Sequence, residues 1–439
     1  MGPGRFRGVQ HGRVLPGAHQ LEYKVALCKP LDGASSNGRT RDFESRYLGS
    51  NPSAPTTLSL EDALGLSIGI VGLPNVGKST LFNALSGANV LAANYPFATK
   101  DPNVGVVPVP DARLAKLATV HKSKKILAAA LEFVDIAGLV KGASKGEGLG
   151  NKFLANIREA SAIAHVLRCF EDGDVVHVDG AVDPERDKDV VDTELMLKDL
   201  EALDKKRERA AKDAKGLGKP AEEAKLDIAI IDRIREALNS GKPARSLKYT
   251  DDELPRVREM FLLSAKPVLY VANVDENQLA RIGEDPANAK KDPTVAKVVA
   301  IAERENARWV AICSKVEAEI SELPLEERTE FLGSIGLTEP GLHKLARAGF
   351  DLLGLMSYFT AGPEETRAWV IQKGWRAPAA AGVIHTDFER GFIKAEVIRW
   401  DLLLEYGSEA AARAKGALRI EGKEYVVQDG DVMHFMFNV

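Results

Sequence analysis

Cysteine is almost missing from this 439-residue chain: Cys28, Cys169 and Cys313 are all it has. Few, odd in number and widely spaced, they exclude a disulfide framework and a cysteine-based metal site, and they point to a reducing compartment. No apolar run reaches the about 18 residues that a membrane span requires, so no membrane partner is expected. Basic charge is not in excess either, since 59 lysines and arginines stand against 63 carboxylates for a net charge of −4. That balance excludes a global field for nucleic acid, and any RNA contact would have to be a local patch. What remains, 45% hydrophobic and 28% charged residues, is the composition of a soluble globular protein, with length for two or three domains.

Residues 1–64 lack apolar periodicity and are rich in Gly, Pro, Ser, Asn and Arg, and Asn51 to Thr57 reads as linker. The expectation is a disordered extension or a mis-assigned translation start. The next methionine after Met1 is Met196, so a start near Leu66 would need a non-standard codon. A transit peptide is the third reading, against which stand Glu22, Asp32, Asp42 and Glu44.

From Leu66 onward, strand-like and helix-like segments alternate, which predicts a parallel sheet with helices on both faces. The apolar run Leu66 to Val71 leads into Gly72-Leu-Pro-Asn-Val-Gly-Lys-Ser-Thr80 and then Leu81-Phe-Asn-Ala-Leu85. This is G-x-x-x-x-G-K-[ST] between a buried strand and an amphipathic helix, the setting that gives the pattern its chemistry. Asn75, Val76, Gly77, Lys78, Ser79 and Thr80 are the expected nucleotide-binding residues. Backbone N–H groups and the helix N-terminus meet phosphate oxygens, Lys78 reaches the β- and γ-phosphates, and Ser79 ligates Mg²⁺.

A second strand, Ala130 to Val134, ends in Asp135-Ile-Ala-Gly138. A D-x-x-G at a strand end beside a phosphate loop places Asp135 toward Mg²⁺, through water, and leaves the Gly138 N–H for the γ-phosphate. Thr99 is the candidate second hydroxyl ligand to Mg²⁺, competing with the plain reading of a surface threonine. Leu139 occupies the place where many such hydrolases carry a water-orienting Gln, so orientation must come from elsewhere. His177 is a candidate, and an ordinary histidine at a strand start is the equal alternative.

Residues 192–262 interrupt the alternation with charged helical sequence broken at Gly216-Leu-Gly-Lys-Pro220, which predicts two antiparallel helices in a coiled-coil-like arm. The sheet resumes at Pro267 to Ala272 and ends in Asn273-Val274-Asp275-Glu276. A guanine-specific site carries N-K-x-D at such an end. Here the fourth position is Glu276, whose longer side chain misfits that role, so adenine is the expected base. The strand Trp309 to Cys313 with Ser314-Lys315 completes the base-side wall.

These motifs in this order resemble the YchF/Obg-like ATPase family. The resemblance rests on the Gly72 to Leu85 stretch, on Asp135-Ile-Ala-Gly-Leu-Val-Lys-Gly-Ala-Ser-Lys-Gly-Glu-Gly-Leu-Gly150, and on Ala380-Ala-Gly-Val-Ile-His-Thr-Asp-Phe-Glu-Arg-Gly-Phe392. It covers Leu66 to Val439. The resemblance implies nucleotide contacts at Asn75 to Thr80 and Val274, Mg²⁺ on Ser79 and Thr99, and ATP used in preference to GTP with Glu276. It implies an α/β P-loop nucleotide-binding domain over 65–355 with a mostly parallel sheet, the inserted helical arm, and a C-terminal α+β domain of β-grasp (TGS) type over 356–439. Ribosome or rRNA association and a cytoplasmic location are implied in the same way. Lys78 and Gly138 are the expected catalytic groups with His177, and Asn273, Val274, Glu276 and Ser314 the base-side residues. Hydrolysis should be slow unless a partner or a monovalent cation supplies the missing element. A GTP-driven translation factor and a scaffold with structural nucleotide are the competing readings.

Overall fold

The protein is described from a computed structural model covering residues 23–25, 67–91, 103–136, 157–172 and 181–438. Its strands are β1 Tyr23–Val25, β2 Ser67–Val71, β3 Val104–Pro108, β4 Lys125–Ala128, β5 Ala130–Asp135, β6 Ala162–Arg168, β7 Val268–Asn273, β8 Arg308–Ile312, β9 Leu355–Ala361, β10 Glu365–Gln372, β11 Phe392–Arg399, β12 Arg419–Glu421 and β13 Asp431–Phe437.

Six of them form one sheet in the order β3-β5-β2-β6-β7-β8, parallel except for the edge strand β3. Strands of such a sheet are covered on both faces and read as continuous apolar runs. Accordingly every residue of β6 and β7 is buried. Because β2, β5, β6, β7 and β8 run the same way, the motifs that follow them gather at one edge, where open α/β sheets bind ligands.

Between β6 and β7 stand two long helices, Pro184–Asp213 and Lys219–Asn239. The first starts at Pro184 rather than near 192, because Pro and two acidic residues in the first turn favour a start there. The pair has its own core around Met196, Leu203, Ile230, Ile231, Ile234 and Leu238. Its root is tied to the main sheet by a buried ion cluster. Lys188 Nζ lies 3.1 Å from Asp192 and 2.8 Å from Glu305, Arg245 lies 2.7 Å from Asp192, and the Tyr270 hydroxyl donates to Glu305 at 2.8 Å.

The second sheet has the order β1-β4-β10-β9-β13-β11-β12. A division of the chain near residue 355 does not coincide with this sheet. β4, from the N-terminal half, pairs parallel to β10 through Lys125↔Glu365, Ile126↔Thr366 and Leu127↔Arg367. Lys124 N–H donates to Pro363 O at 3.0 Å, Ser123 Oγ donates to Gly362 O at 2.7 Å, and Arg113 bridges Asp111 and Asp429 at 2.8 and 2.6 Å. Within 1–64, the described residues Tyr23–Val25 pair parallel to β4.

Candidate functional site

The turn after β2 is shaped by contacts that leave no room for side chains. A Cβ on Gly72 would lie 2.5 Å from the Val166 carbonyl oxygen. Gly77 has φ +92°, a conformation unfavourable for other residues, and a Cβ there would meet Asn273 Nδ2 at 2.1 Å. Asn75 takes the left-handed conformation at φ 61°, which Asn tolerates better than most residues. The helix Lys78–Leu91 begins directly afterwards. Its first turn presents the exposed Ser79 and Thr80, while Val76 is buried beneath the loop.

Lys78 is buried, and its Nζ donates to Leu73 O at 2.6 Å, curling over the loop. Burial lowers its pKa to about 8, with the negative charge of Asp135 opposing that fall. Burial likewise raises the Asp135 carboxyl, and Lys78 opposes it. Each charge is thus left under-compensated by solvent, a setting in which a polyanion and a cation would both be welcome. The exposed Ser79 hydroxyl, next in sequence to Lys78, and the half-buried Asp135 carboxylate, which interacts electrostatically with Lys78, are oxygen donors of the kind Mg²⁺ takes, and they fit that ion.

A cavity of about 650 Å³ opens over this loop. On one side it is lined by Asn75, Gly77, Lys78, Ser79 and Thr80, and on the other by Asn273 to Asn277 and Cys313 to Lys315. Asn273 is buried, and both ends of its amide are bonded to protein. Its Nδ2 donates to Val76 O at 2.8 Å, and its Oδ1 accepts from Ser314 N–H at 3.0 Å and Ser314 Oγ at 2.9 Å. Both Asn273 and Ser314 therefore lie in the wall, but their polar groups staple the phosphate loop to the ends of β7 and β8. Val274 is buried and its N–H donates to Ile312 O at 2.9 Å, which leaves its side chain as apolar lining.

Asp275 caps the helix Glu276–Ile282. Its Oδ1 accepts from Gln278 N–H at 2.8 Å, and Gln278 Oε1 accepts from Asp275 N–H at 2.9 Å, a complete capping box. Glu276, the first helical residue, is exposed at the cavity rim.

Residues not anticipated from the sequence lie just beyond β6. Phe170, Glu171 and Asp172 line the cavity. Buried Arg168 stacks on the Phe170 ring at 4.5 Å and donates to Phe170 O at 3.1 Å and Asn75 O at 3.4 Å, joining this segment to the phosphate loop. Their place at the carboxyl end of a central parallel strand was the available signal. Thr99, Gly138, Leu139 and His177 lie outside the described residues.

The sequence and structure were also compared with known proteins. The MMR_HSR1 family model, described as 50S ribosome-binding GTPase, matches residues 67–196. The YchF-GTPase_C model, described as a protein of unknown function, matches residues 355–438. A curated relative from Bacillus subtilis, "Ribosome-binding ATPase YchF", is 51% identical over 376 residues, which cover 86% of this chain and 100% of the relative. The protein of that name from Mycoplasma genitalium is 45% identical, over 85% of this chain and 100% of its own. The solved structure of the Schizosaccharomyces pombe YchF GTPase aligns with a TM-score of 0.75 at 37% identity, covering 85% of this chain and 98% of that one. With such identity spread from the phosphate loop to the C-terminal sheet, this chain belongs to the YchF family.

Proposed function

We propose that the protein binds and hydrolyses ATP in preference to GTP and associates with the ribosome as a nucleotide-dependent regulatory factor in the cytoplasm. The observation that carries the choice of base is the capping box. A guanine-reading carboxylate must accept from the N1–H and the exocyclic amine together, and Asp275 has turned its carboxylate onto Gln278 N–H instead. Of the Asn273 to Asn277 segment, it is Glu276, the first residue of the helix, that leaves an exposed carboxylate at the rim. Adenine offers no N1–H to such a group, so its binding loses nothing from the misplaced carboxylate.

In this reading the Asn75 to Thr80 backbone and Lys78 hold the triphosphate, and Phe170 and Val274 supply apolar surface for the base. The Ser79 hydroxyl, Thr99 and, through water, Asp135 would hold Mg²⁺, which when bound neutralises charge on the β- and γ-phosphates. Gly138 would offer its N–H to the γ-phosphate. With Leu139 where a Gln would orient water, Lys78 and the loop amides act by positioning and charge stabilisation alone. Basal turnover is then slow, with water orientation left to His177, a partner or a monovalent cation. The names of the bacterial relatives support the ribosome as that partner.

The test is competition of ATP and GTP for a labelled adenine nucleotide on the wild type and on Glu276→Asp. The wild type should favour ATP, and the shorter side chain should move the preference toward GTP. A wild type that strongly prefers GTP would overturn the assignment.

A further inference from the structure

We propose that the outer end of the helical arm is an RNA-phosphate-binding tip, a site that rests on the ribosome association proposed above only for the source of the RNA. The arm changes sign along its length. Residues 184–204, at the root, carry three basic side chains against eight carboxylates, whereas residues 205–225, around the tip, carry eight against four. This concentrates positive charge in one place on a chain whose net charge is −4.

The helix dipole does not account for the reversal. Its influence fades within one turn of a helix end, and the basic half spans several turns on two antiparallel helices whose dipoles oppose each other. Arg207 and Lys225 are paired internally, with Asp232 and Glu222, but the charge nearest the apex is not. Among the described residues Arg209, Lys212 and Lys215 have no carboxylate within salt-bridge distance, and Lys219 has only Glu223 at 3.7 Å. All four are exposed.

The apex adds an apolar group. Leu217 is 97% exposed, between Gly216 and Gly218, with nothing within 4 Å of a Cβ placed on Gly218. Below it, buried Ala221 and Ala224 let the helices approach closely, so the tip is slender and held in shape. It projects on the order of 15 Å beyond the buried Leu203, at 1.5 Å per residue. A slender knob with four cations around one exposed leucine matches a groove bounded by phosphates, with the leucine against a base or sugar.

The experiment uses the full chain and a fluorescein-labelled RNA hairpin of about 20 base pairs, followed by anisotropy between 50 and 200 mM KCl. Lys212→Gln/Lys215→Gln/Lys219→Gln should weaken binding at least about tenfold and flatten the log–log salt dependence by about 2 to 3, with helix content and basal hydrolysis unchanged. Leu217→Ser should weaken binding without changing the slope. Equal affinity and slope for wild type and the triple variant, or a like effect of Lys290→Gln/Lys291→Gln/Lys423→Gln elsewhere, would overturn the proposal. So would wild-type binding to phosphatidylserine vesicles with none to RNA. Basal hydrolysis in each variant tells failure of the tip from failure of the nucleotide site.

Discussion

Replacing Asn273 by Ala separates a residue that holds the site from one that reads the base. The side chain makes three buried hydrogen bonds, to Val76 O, Ser314 N–H and Ser314 Oγ. At about 1 kcal/mol net for each, the loss is about 3 kcal/mol, with the Val76 carbonyl and the Ser314 amide left unsatisfied in the wall. For a unit of about 200 residues that corresponds to a fall in Tm of roughly 6 to 12 °C. The phosphate loop released by the change serves any triphosphate, so affinities for ATP and GTP should drop by the same factor. Differential scanning calorimetry and nucleotide titration on the purified variant provide both readouts. An unchanged Tm with an altered ratio of ATP to GTP affinity would mean that the side chain contacts the base, and would refute the staple. Asn273→Asp should be at least as damaging near neutral pH, because it sets a carboxylate against the Val76 carbonyl.

Two further expectations follow from buried charge. The Lys78 ammonium has its pKa lowered to about 8 by burial, so it loses its proton within an accessible range unless a polyanion holds it. Triphosphate affinity should be flat below pH 8 and fall above it, by up to about tenfold per pH unit, in titrations from pH 7 to 9.5. At the arm root, Lys188→Met leaves Asp192 and Glu305 to share Arg245, and removal of one partner from such a cluster costs about 3 to 5 kcal/mol. Burial alone would raise both carboxyls, but Arg245 and Lys188 together hold them below their usual values. Their contribution is therefore present above the unfolded carboxylate range and lost as pH falls through the folded values. The deficit of the variant, measured by urea unfolding, should be larger at pH 7 than near pH 4.

The chemistry-bearing strands were legible because each carries its motif at its carboxyl end. The apolar runs Leu66 to Val71, Ala130 to Val134, Pro267 to Ala272 and Trp309 to Cys313 are β2, β5, β7 and β8 of one sheet. Hidden from the sequence were features set by partners far along the chain. Nothing local to Asn273 shows that its amide is taken by Val76 and Ser314, 197 and 41 residues away. Likewise Lys125–Ala128 is four residues long and gains its meaning only from β10. Phe170 went unread because its only signal is its place at the carboxyl end of β6, which tells only once the sheet is assembled and the Arg168 guanidinium stacks on the ring.

The insertion of β4 into the C-terminal sheet bears on how the chain is made. During synthesis the half that carries the nucleotide loop emerges first, and the β4 edge that meets β10 has no strand to meet until residues 365–367 follow, about 240 residues later. Over that interval Lys125 to Leu127 offer open N–H and C=O groups, a template for pairing with other chains. The N-terminal half is thus a nascent chain with an aggregation-prone rim, and a fragment ending near residue 355 keeps that rim for good. Pairings so distant in sequence also make the second sheet slow to close, so the last strands to be translated complete the first half as well as their own.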